Sequence, residues 1–589
     1  MSDILNNEFT YATQYYRPPT PLPDEWENDI DRMHSLTGVD TFQLRVQWRW
    51  HEPREGEYVF DDLDELFELA ARYGRKVLFK FLLENAPDYI YHRYGGTRRD
   101  MNGTAMRPLA HGAYYCGGWL PCFDNPDVLR KAGEFVRVMV ERYKDRPELL
   151  LWNVWNEPIA RPIGECGCTH SVAAYRDWLR RSYGDIGSLN NFLGKRWESF
   201  ETVEPPASPT DYAELFMWRQ WALEAVTERV RFVYDIVKGL DSTRPVITHV
   251  GGCSILQDVA GGGSDDVSNA KAVDFYGCSL PTATVLGNPI NDCWPALQCD
   301  WLRSVSPYYW VYELYPDWGA WHPRVRIGDY KTKVLSSLAC GAKGIVYWQY
   351  RAERLGMENN LSGLVNIDGS PKAVSNESVK IAGLIREHSD FLMSSRVKTS
   401  SIALVYSLKS DLISRVENTG SGGMWDFSLR NPDGSYLYKK ALCGAYALFR
   451  ELGYTVEWLD SRALAKRAQD FELIYLPEYF MPEAGESQAL QQFAKNGGKL
   501  IAEEGVGLRQ ANTWVNGSWP AEPFRDMFGV KIDDRALGSF KPERLMLNNT
   551  EIIPGTDNFI SSLIPEKGEV IGTWSDSSPA VVKNNNCIL

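Results

Sequence analysis

The 589-residue sequence predicts a (β/α)8 barrel followed by a flavodoxin-like α/β domain. Three observations carry this. Before residue 398, eight short apolar, β-rich runs alternate with amphipathic helical runs, and such alternation implies parallel strands joined by crossover helices. No Gly-x-Gly-x-x-Gly or Walker loop follows a strand, which removes the usual nucleotide sites of the rival doubly wound sheet. After residue 398 a second, shorter series begins. The expected division is a barrel over 1–397 and a second domain over 398–589.

The eight strand runs are Tyr11–Tyr16, Thr41–Gln47, Lys76–Leu83, Leu149–Trp155, Pro245–Val250, Asp274–Leu280, Tyr308–Leu314 and Gly344–Arg351. Helical patterns over Pro23–Leu36, Asp61–Tyr73, Pro126–Tyr143, Asp211–Lys238, Ile327–Ala339 and Ala373–His388 lie among them. Eight units in under 400 residues suit a closed barrel. In the second series, Ile402–Tyr406 reads as a strand and Tyr438–Leu452 as a helix stopped by Gly453. Thr455–Leu459, Phe471–Leu476, a helix near Gly485–Asn496 and Lys499–Ala502 follow. The order is flavodoxin-like. No Cys or Ser nucleophile sits on a strand-to-helix elbow there, so an amidotransferase role is set aside and the domain is expected to be non-catalytic.

Composition bounds the function. Hydrophobic residues make up 44% and charged residues 24%, which excludes a largely disordered or fibrous chain. The net charge of −14 repels phosphates and argues against nucleic-acid binding. No apolar window is long enough for a membrane span, and the N-terminus lacks the basic and apolar regions of a signal peptide. The eleven cysteines, an odd count, are expected to meet a reducing cytoplasm. The 21 Trp and 30 Tyr exceed what core packing asks for, and flat aromatic faces suit sugar rings.

Barrel chemistry sits where strands end at the C-terminal face. Strand four, Leu149-Leu150-Leu151-Trp152-Asn153-Val154-Trp155-Asn156-Glu157-Pro158, and strand seven, Tyr308-Tyr309-Trp310-Val311-Tyr312-Glu313-Leu314, each release a glutamate after an almost uncharged run. Glycoside cleavage needs two carboxyls flanking the anomeric carbon: one protonates the leaving oxygen, the other attacks or activates water. A separation near 5 Å implies retention of configuration. The plain alternative has Glu157 capping a helix and Glu313 pairing with a surface Arg. Trp152, Trp155, Trp310, Tyr312, Trp318, Trp321, Tyr347 and Trp348 fall near these strand ends and are expected to line a sugar-sized cleft rather than the core.

Asn156-Glu157-Pro158 closing a Trp-rich fourth strand, with Glu313 closing the seventh, resembles the clan of retaining glycosidases with 4/7 barrels. The resemblance implies that Asn156 bonds the sugar 2-hydroxyl, Glu157 is the acid/base and Glu313 the nucleophile. It narrows to glycoside hydrolase family 42, β-galactosidases with a flavodoxin-like trimerisation domain. Trp48-Arg49-Trp50-His51-Glu52-Pro53-Arg54-Glu55-Gly56-Glu57-Tyr58-Val59-Phe60 looks like that family's second-strand exit, Trp321 its stacking Trp, and Tyr347–Arg351 with Gly356-Met357-Glu358 its eighth-strand segment, where Glu358 would bind sugar hydroxyls. The resemblance spans nearly the whole chain in architecture and is specific in these segments. Leu361 and Leu280 stand where the family has a His and a Tyr, and no clean match exists for an Arg before its first Cys. These departures touch the positions that read the sugar. Arg45, on strand two, is expected either to bond the nucleophile, as an Arg does elsewhere in the clan, or to form a strand-end salt bridge.

The resemblance also implies a structural zinc, held by an early Cys and Cys-x-Cys-x-x-Cys. Here Cys166-Gly167-Cys168-Thr169-His170-Ser171 ends in Ser. Cys116, Cys122, Cys166 and Cys168, or a set using His170, could close a tetrahedral site; free loop thiols are the alternative. The remaining cysteines, at 253, 278, 293, 299, 340, 443 and 587, read as core or surface thiols. Catalysis by two carboxyls needs no cofactor.

The expectation is a retaining exo-glycosidase releasing terminal β-D-galactose, acting on an oligosaccharide or glycoside and assembling as a homo-trimer by resemblance. β-Glucosidase, β-xylosidase or α-L-arabinopyranosidase activity on the same pair is the enzymic rival, and a catalytically silent sugar-binding protein the rival of another class. Family 42 chains usually carry a small C-terminal β-domain; with the sequence stopping at Leu589, the expectation is either that this domain is absent or that the chain is truncated.

Overall fold

Eight parallel strands close on themselves in chain order. They are β1 (Thr10–Tyr16), β2 (Thr41–Gln47), β3 (Lys76–Leu82), β4 (Leu149–Asn156), β5 (Val246–Val250), β6 (Phe275–Leu280), β7 (Tyr309–Leu314) and β8 (Gly344–Tyr347), with β1 pairing β8. The structure is a computed structural model and describes residues 8–106, 119–159, 166–206, 211–256, 259, 263–280, 293–317, 326–356, 358–360, 362–417, 437–537, 544–553 and 559–589. Helices Pro23–Thr37, Asp61–Arg72, Pro126–Tyr143, Tyr212–Leu240, Ile327–Ala339 and Ala373–Glu387 fall where the amphipathic patterns lie. Thr169–Tyr183 and Trp294–Val305 are further helices, the second being the crossover between β6 and β7. Among the described residues no helix is long and apolar enough to cross a membrane.

The barrel interior is layered, because side chains alternate along each strand and every second one points inward. The lowest layer is an apolar plug of Ala12, Leu78, Leu151, Ile247, Phe275, Trp310 and Val346. Glycine at position 344 admits it, since a Cβ there would lie 2.6 Å from the Trp310 indole. Two residues further along the strands the inward positions turn polar. Gln43 bonds Gln14 and receives the Tyr312 hydroxyl, and Asn153 meets His249. The charged site lies in the same upper part of the barrel.

This alternation corrects one expectation. Trp152 and Tyr347 face the outer helices: Trp152 donates its indole N–H to Asp241, and Tyr347 sits in a hydroxyl cluster with Tyr11 and Tyr330. Trp310 and Tyr312 fill the interior, and Trp155 packs edge-on against Phe123. Of the six described rings, Trp348 lies beside the charged site and Tyr312 stacks on its His249, 4.7 Å between ring centroids; the other four serve the core. Trp318 and Trp321 lie outside the described residues.

The second domain contributes β9 (Ile402–Tyr406), β10 (Glu457–Asp460), β11 (Leu473–Leu476), β12 (Lys499–Ala502), β13 (Val530–Leu537), β14 (Leu545–Leu547), β15 (Thr550–Ile552), β16 (Phe559–Pro565), β17 (Glu569–Trp574), β18 (Pro579–Asn584) and β19 (Cys587–Ile588). Its main sheet runs β10-β9-β11-β12-β19-β18-β17-β14-β15. The first five are parallel and follow the flavodoxin order; the last four extend the sheet antiparallel. Trp301 of the barrel wedges between Tyr406 and Trp458, and Arg462 grips the buried Asp265 with two hydrogen bonds of 2.7 and 3.0 Å.

Candidate active site

Both glutamates reach the mouth by a break in strand regularity. On β7 the inward residues are Trp310 and Tyr312, so Glu313 should point outward. Instead it takes a left-handed backbone, φ +83°, and the ladder to β8 slips between Tyr312 and Leu314. On β4 the ladder to β5 slips between Asn153 and Asn156, and Glu157 has φ +46°. Such conformations cost roughly 1–3 kcal/mol each and persist where surrounding packing enforces them. Neither plain alternative finds support: among the described residues the helix that follows Glu157 begins at Thr169, and Glu313 is buried.

The two carboxyls converge. An oxygen of Glu157, an oxygen of Glu313 and a ring nitrogen of His249 all lie within 4.8 Å of one another. Ser279, at the end of β6, bridges them, its hydroxyl 3.1 Å from Glu157 Oε1 and 3.4 Å from Glu313 Oε2. Glu313 Oε1 accepts from Lys80 Nζ at 2.6 Å, lies 3.3 Å from His249 Nε2, and is 4.0 Å from Arg45 Nη2. Burial alone would raise the Glu313 pKa; the Lys80 ammonium first, then His249 and Arg45, reverse this and hold the carboxyl well below the usual range. Glu313 is therefore an anion and Glu157 its half-buried counterpart. Gly251 lets them meet, since a Cβ there would lie 2.7 Å from Glu157 Oε1.

Arg45 hydrogen-bonds Asn156 Oδ1 at 2.6 Å and only approaches Glu313. This orients the Asn156 amide so that its N–H2 is free to face a ligand. Trp348 lies under Arg45, 4.5 Å from guanidinium to ring, and under Arg17 at 5.0 Å. Arg17 in turn holds Glu353 at 3.0 Å and Glu358 at 2.7 Å, and Thr20 bonds Glu353. The structure thus gathers Glu157, Glu313, Asn156, Arg45 and Glu358 at one end of the barrel. Trp321 and Leu361 lie outside the described residues, and Leu280 is buried at the β6 terminus. Sequence reasoning missed Lys80, His249, Ser279, Arg17 and Glu353. A signal existed for two of them: each lies two residues beyond an inward apolar residue, Lys80 after Leu78 and His249 after Ile247.

Two carboxyls this close, one anionic, match the roughly 5 Å geometry of a retaining glycosidase. The family model described as β-galactosidase, Glyco_hydro_42, matches residues 15–387. The chain belongs to glycoside hydrolase family 42. It is a glycoside hydrolase, and residues 400–586 match the family's β-galactosidase trimerisation domain. Among family 42 relatives, β-galactosidase BgaB of a Geobacillus species is 22% identical over 576 residues, covering 94% of this chain and 78% of that protein. BgaH of Haloferax lucentense is 23% identical, covering 88% and 76%. A catalytic mutant of the family 42 β-galactosidase Gan42B of G. stearothermophilus superposes with a TM-score of 0.85 at 20% identity, over 99% of this chain and 85% of that one.

The cysteine cluster is partly assembled. The sulfurs of Cys122, Cys166 and Cys168 lie within 4.8 Å of one another, with Ser171 Oγ 3.4 Å from Cys122 and 3.7 Å from Cys168. Hydrogen bonds from Cys122 and Cys166 hold the Cys168 thiol well below its ordinary range. His170 is exposed at the start of the following helix and stands outside the trio; Cys116 lies outside the described residues.

Proposed function

We propose that this family 42 enzyme is a retaining, exo-acting β-galactosidase. The observation that carries the reading is the Glu157–Glu313 pair, within 4.8 Å and bridged by Ser279. Glu313 attacks the anomeric carbon while Glu157 protonates the departing oxygen. Glu157 then deprotonates the water that releases the sugar. Asn156 serves the 2-hydroxyl, and Glu358, anchored by Arg17, serves hydroxyls further round the ring. Galactose as the sugar is supported by the family description and by the names of the relatives. A panel of nitrophenyl β-D-galactoside, glucoside and xyloside and α-L-arabinopyranoside tests it, with proton NMR of the first-released anomer. Galactoside is expected to be turned over fastest, with the β-anomer first, and Glu313→Ala to abolish turnover. Preference for glucoside overturns the sugar assignment; an α-anomer product overturns retention.

Three soft sulfurs converging beside a hydroxyl suit a zinc ion, which Cys122, Cys166 and Cys168 would hold with a fourth ligand such as Cys116 or Ser171. Such an ion would tie the segment around Arg99, already bonded to Cys166 and Gly167, to the helix Thr169–Tyr183. Its role is structural. A homo-trimer, supported by the second domain's family, is expected to show three times the chain mass in light scattering. A cytoplasmic location fits ten described cysteines that are all free thiols.

A further inference from the structure

Among the described residues Lys80 is the charged group in closest contact with Glu313, and the double-displacement reading above gives it no task. It is fully buried, and the groups facing it come from four strands: Glu313 on β7, His249 on β5, Arg45 on β2 and Glu157 beyond β4. Its Nζ lies 2.6 Å from Glu313 Oε1 and 3.3 Å from His249 Nε2. The His249 tautomer follows from its other face. Asn153 Oδ1 accepts from the Trp155 amide, so the Asn153 N–H2 donates to His249 Nδ1 at 3.1 Å, and Nε2 carries the proton. Lys80 therefore donates to Oε1, and the Nε2–H of His249 lies 3.3 Å from the same oxygen. Oε2, with Ser279 3.4 Å away, is left to attack.

We propose that Lys80 is a positioning residue whose ammonium keeps Glu313 ionised, selects Oε2 as the attacking oxygen, and makes Glu313 a competent leaving group in the second half-reaction. In the first step Oε2 forms the ester bond to the anomeric carbon as the glycosidic C–O bond breaks, its electron pair leaving with the aglycone oxygen, which takes the proton of Glu157. In the second, water adds to the anomeric carbon and gives a proton to Glu157, and the ester bond breaks with its electron pair returning to Oε2. Charge on Glu313 vanishes in the first step and reappears in the second. A buried cation 2.6 Å away favours the charged form, so it promotes the second step at some expense to the first. Burial, then the like charge of Arg45, lowers the Lys80 pKa to about 8 against the pull of Glu313. Raising the pH through this value removes the ammonium, so turnover is expected to fall near pH 8, a loss separate from any caused by deprotonation of the acid Glu157.

The proposal rests on the double-displacement reading, and the test separates the two. The nitrophenyl glycoside favoured in the panel and its 2,4-dinitrophenyl analogue are turned over by wild type, Lys80→Arg and Lys80→Met. Glycosyl-enzyme is followed by intact-protein mass spectrometry after rapid acid quench. Lys80→Met is expected to lower kcat at least tenfold and KM with it, to accumulate glycosyl-enzyme, and to raise the acid limb of kcat/KM by about 1–3 pH units as Glu313 loses its counter-charge. Lys80→Arg, which stays charged, is expected to retain more turnover than Lys80→Met and to lose the alkaline fall near pH 8. Should Lys80→Met misfold, the alkaline limb of Lys80→Arg decides alone. An unchanged alkaline limb in Lys80→Arg, or an unmoved acid limb and no adduct in Lys80→Met, overturns the role of Lys80. Absence of any Glu313 adduct when wild type and Glu157→Gln are given the dinitrophenyl substrate overturns double displacement itself.

Discussion

Gly251→Ala tests the placement of the acid/base with a single methyl group. A Cβ at 251 lands 2.7 Å from Glu157 Oε1, 2.8 Å from Cδ and 3.2 Å from Oε2. Ordinary contact begins near 3.4 Å, so the carboxyl must retreat by about 0.7 Å, and misplacement on the order of 1 Å costs about 10²-fold in rate. Gly251 is not in the left-handed region and is part-exposed, so the backbone accepts alanine and the melting temperature should hardly move. The assay is kcat/KM on 4-nitrophenyl β-D-galactoside, where protonation assists departure, beside the 2,4-dinitrophenyl glycoside with added azide, where neither half-reaction needs Glu157. The first is expected to fall about 10²-fold and the second to stay within a few-fold of wild type. An unchanged rate on the first substrate would show that Glu157 does not work from this position. An equal loss on both would show that the methyl disturbs Glu313 or sugar binding instead.

Ser279→Ala removes the hydroxyl shared by the carboxyls; a hydrogen bond to a charged group is worth about 1.5–3 kcal/mol, so kcat/KM should fall by about 10- to 100-fold while far-UV circular dichroism stays unchanged. Trp310→Ala empties the barrel plug and should cost about 3–5 kcal/mol in denaturant unfolding. Asp265 is held below the ordinary carboxylate range: burial opposes this, but the Arg462 charge and hydrogen bonds prevail. Its stabilisation is therefore present above the unfolded value of about 3.9 and is lost as pH falls through the lower folded value, so the stability gap between wild type and Arg462→Ala should be widest near neutrality and close in acid. Chelation by a strong zinc ligand, or Cys166→Ser, should lower the melting temperature and release metal measurable by mass spectrometry, without changing the pH profile of turnover.

The barrel strands were legible to within a few residues because buried parallel strands read as uninterrupted apolar runs. Both glutamates stood out for the same reason, as charges ending such runs. What the runs hid was direction. Trp152 and Trp310 look alike in sequence, yet β4 turns one to a helix and β7 turns the other into the plug, and assigning all the rings to the cleft ignored that alternation. Lys80 and His249 were recoverable by counting in twos from Leu78 and Ile247. Ser279 and Arg17 were not, because their partners come from strands far apart in the chain. The antiparallel half of the second domain escaped for a different reason: Thr550–Ile552 is wholly exposed, and a strand without a buried face carries no apolar alternation.

The left-handed backbone at the two glutamates has unequal consequences for how this enzyme can decay. Replacing Glu157 by glycine relieves a conformation that costs a non-glycine residue roughly 1–2 kcal/mol, and the carboxyl it removes is half-buried where that of Glu313 is fully buried. Replacing Glu313 relieves similar strain but abandons Lys80 in the interior, a penalty of about 3–5 kcal/mol. Loss of the strand-seven carboxylate is therefore opposed by the stability of the fold whether or not the protein still cleaves sugar.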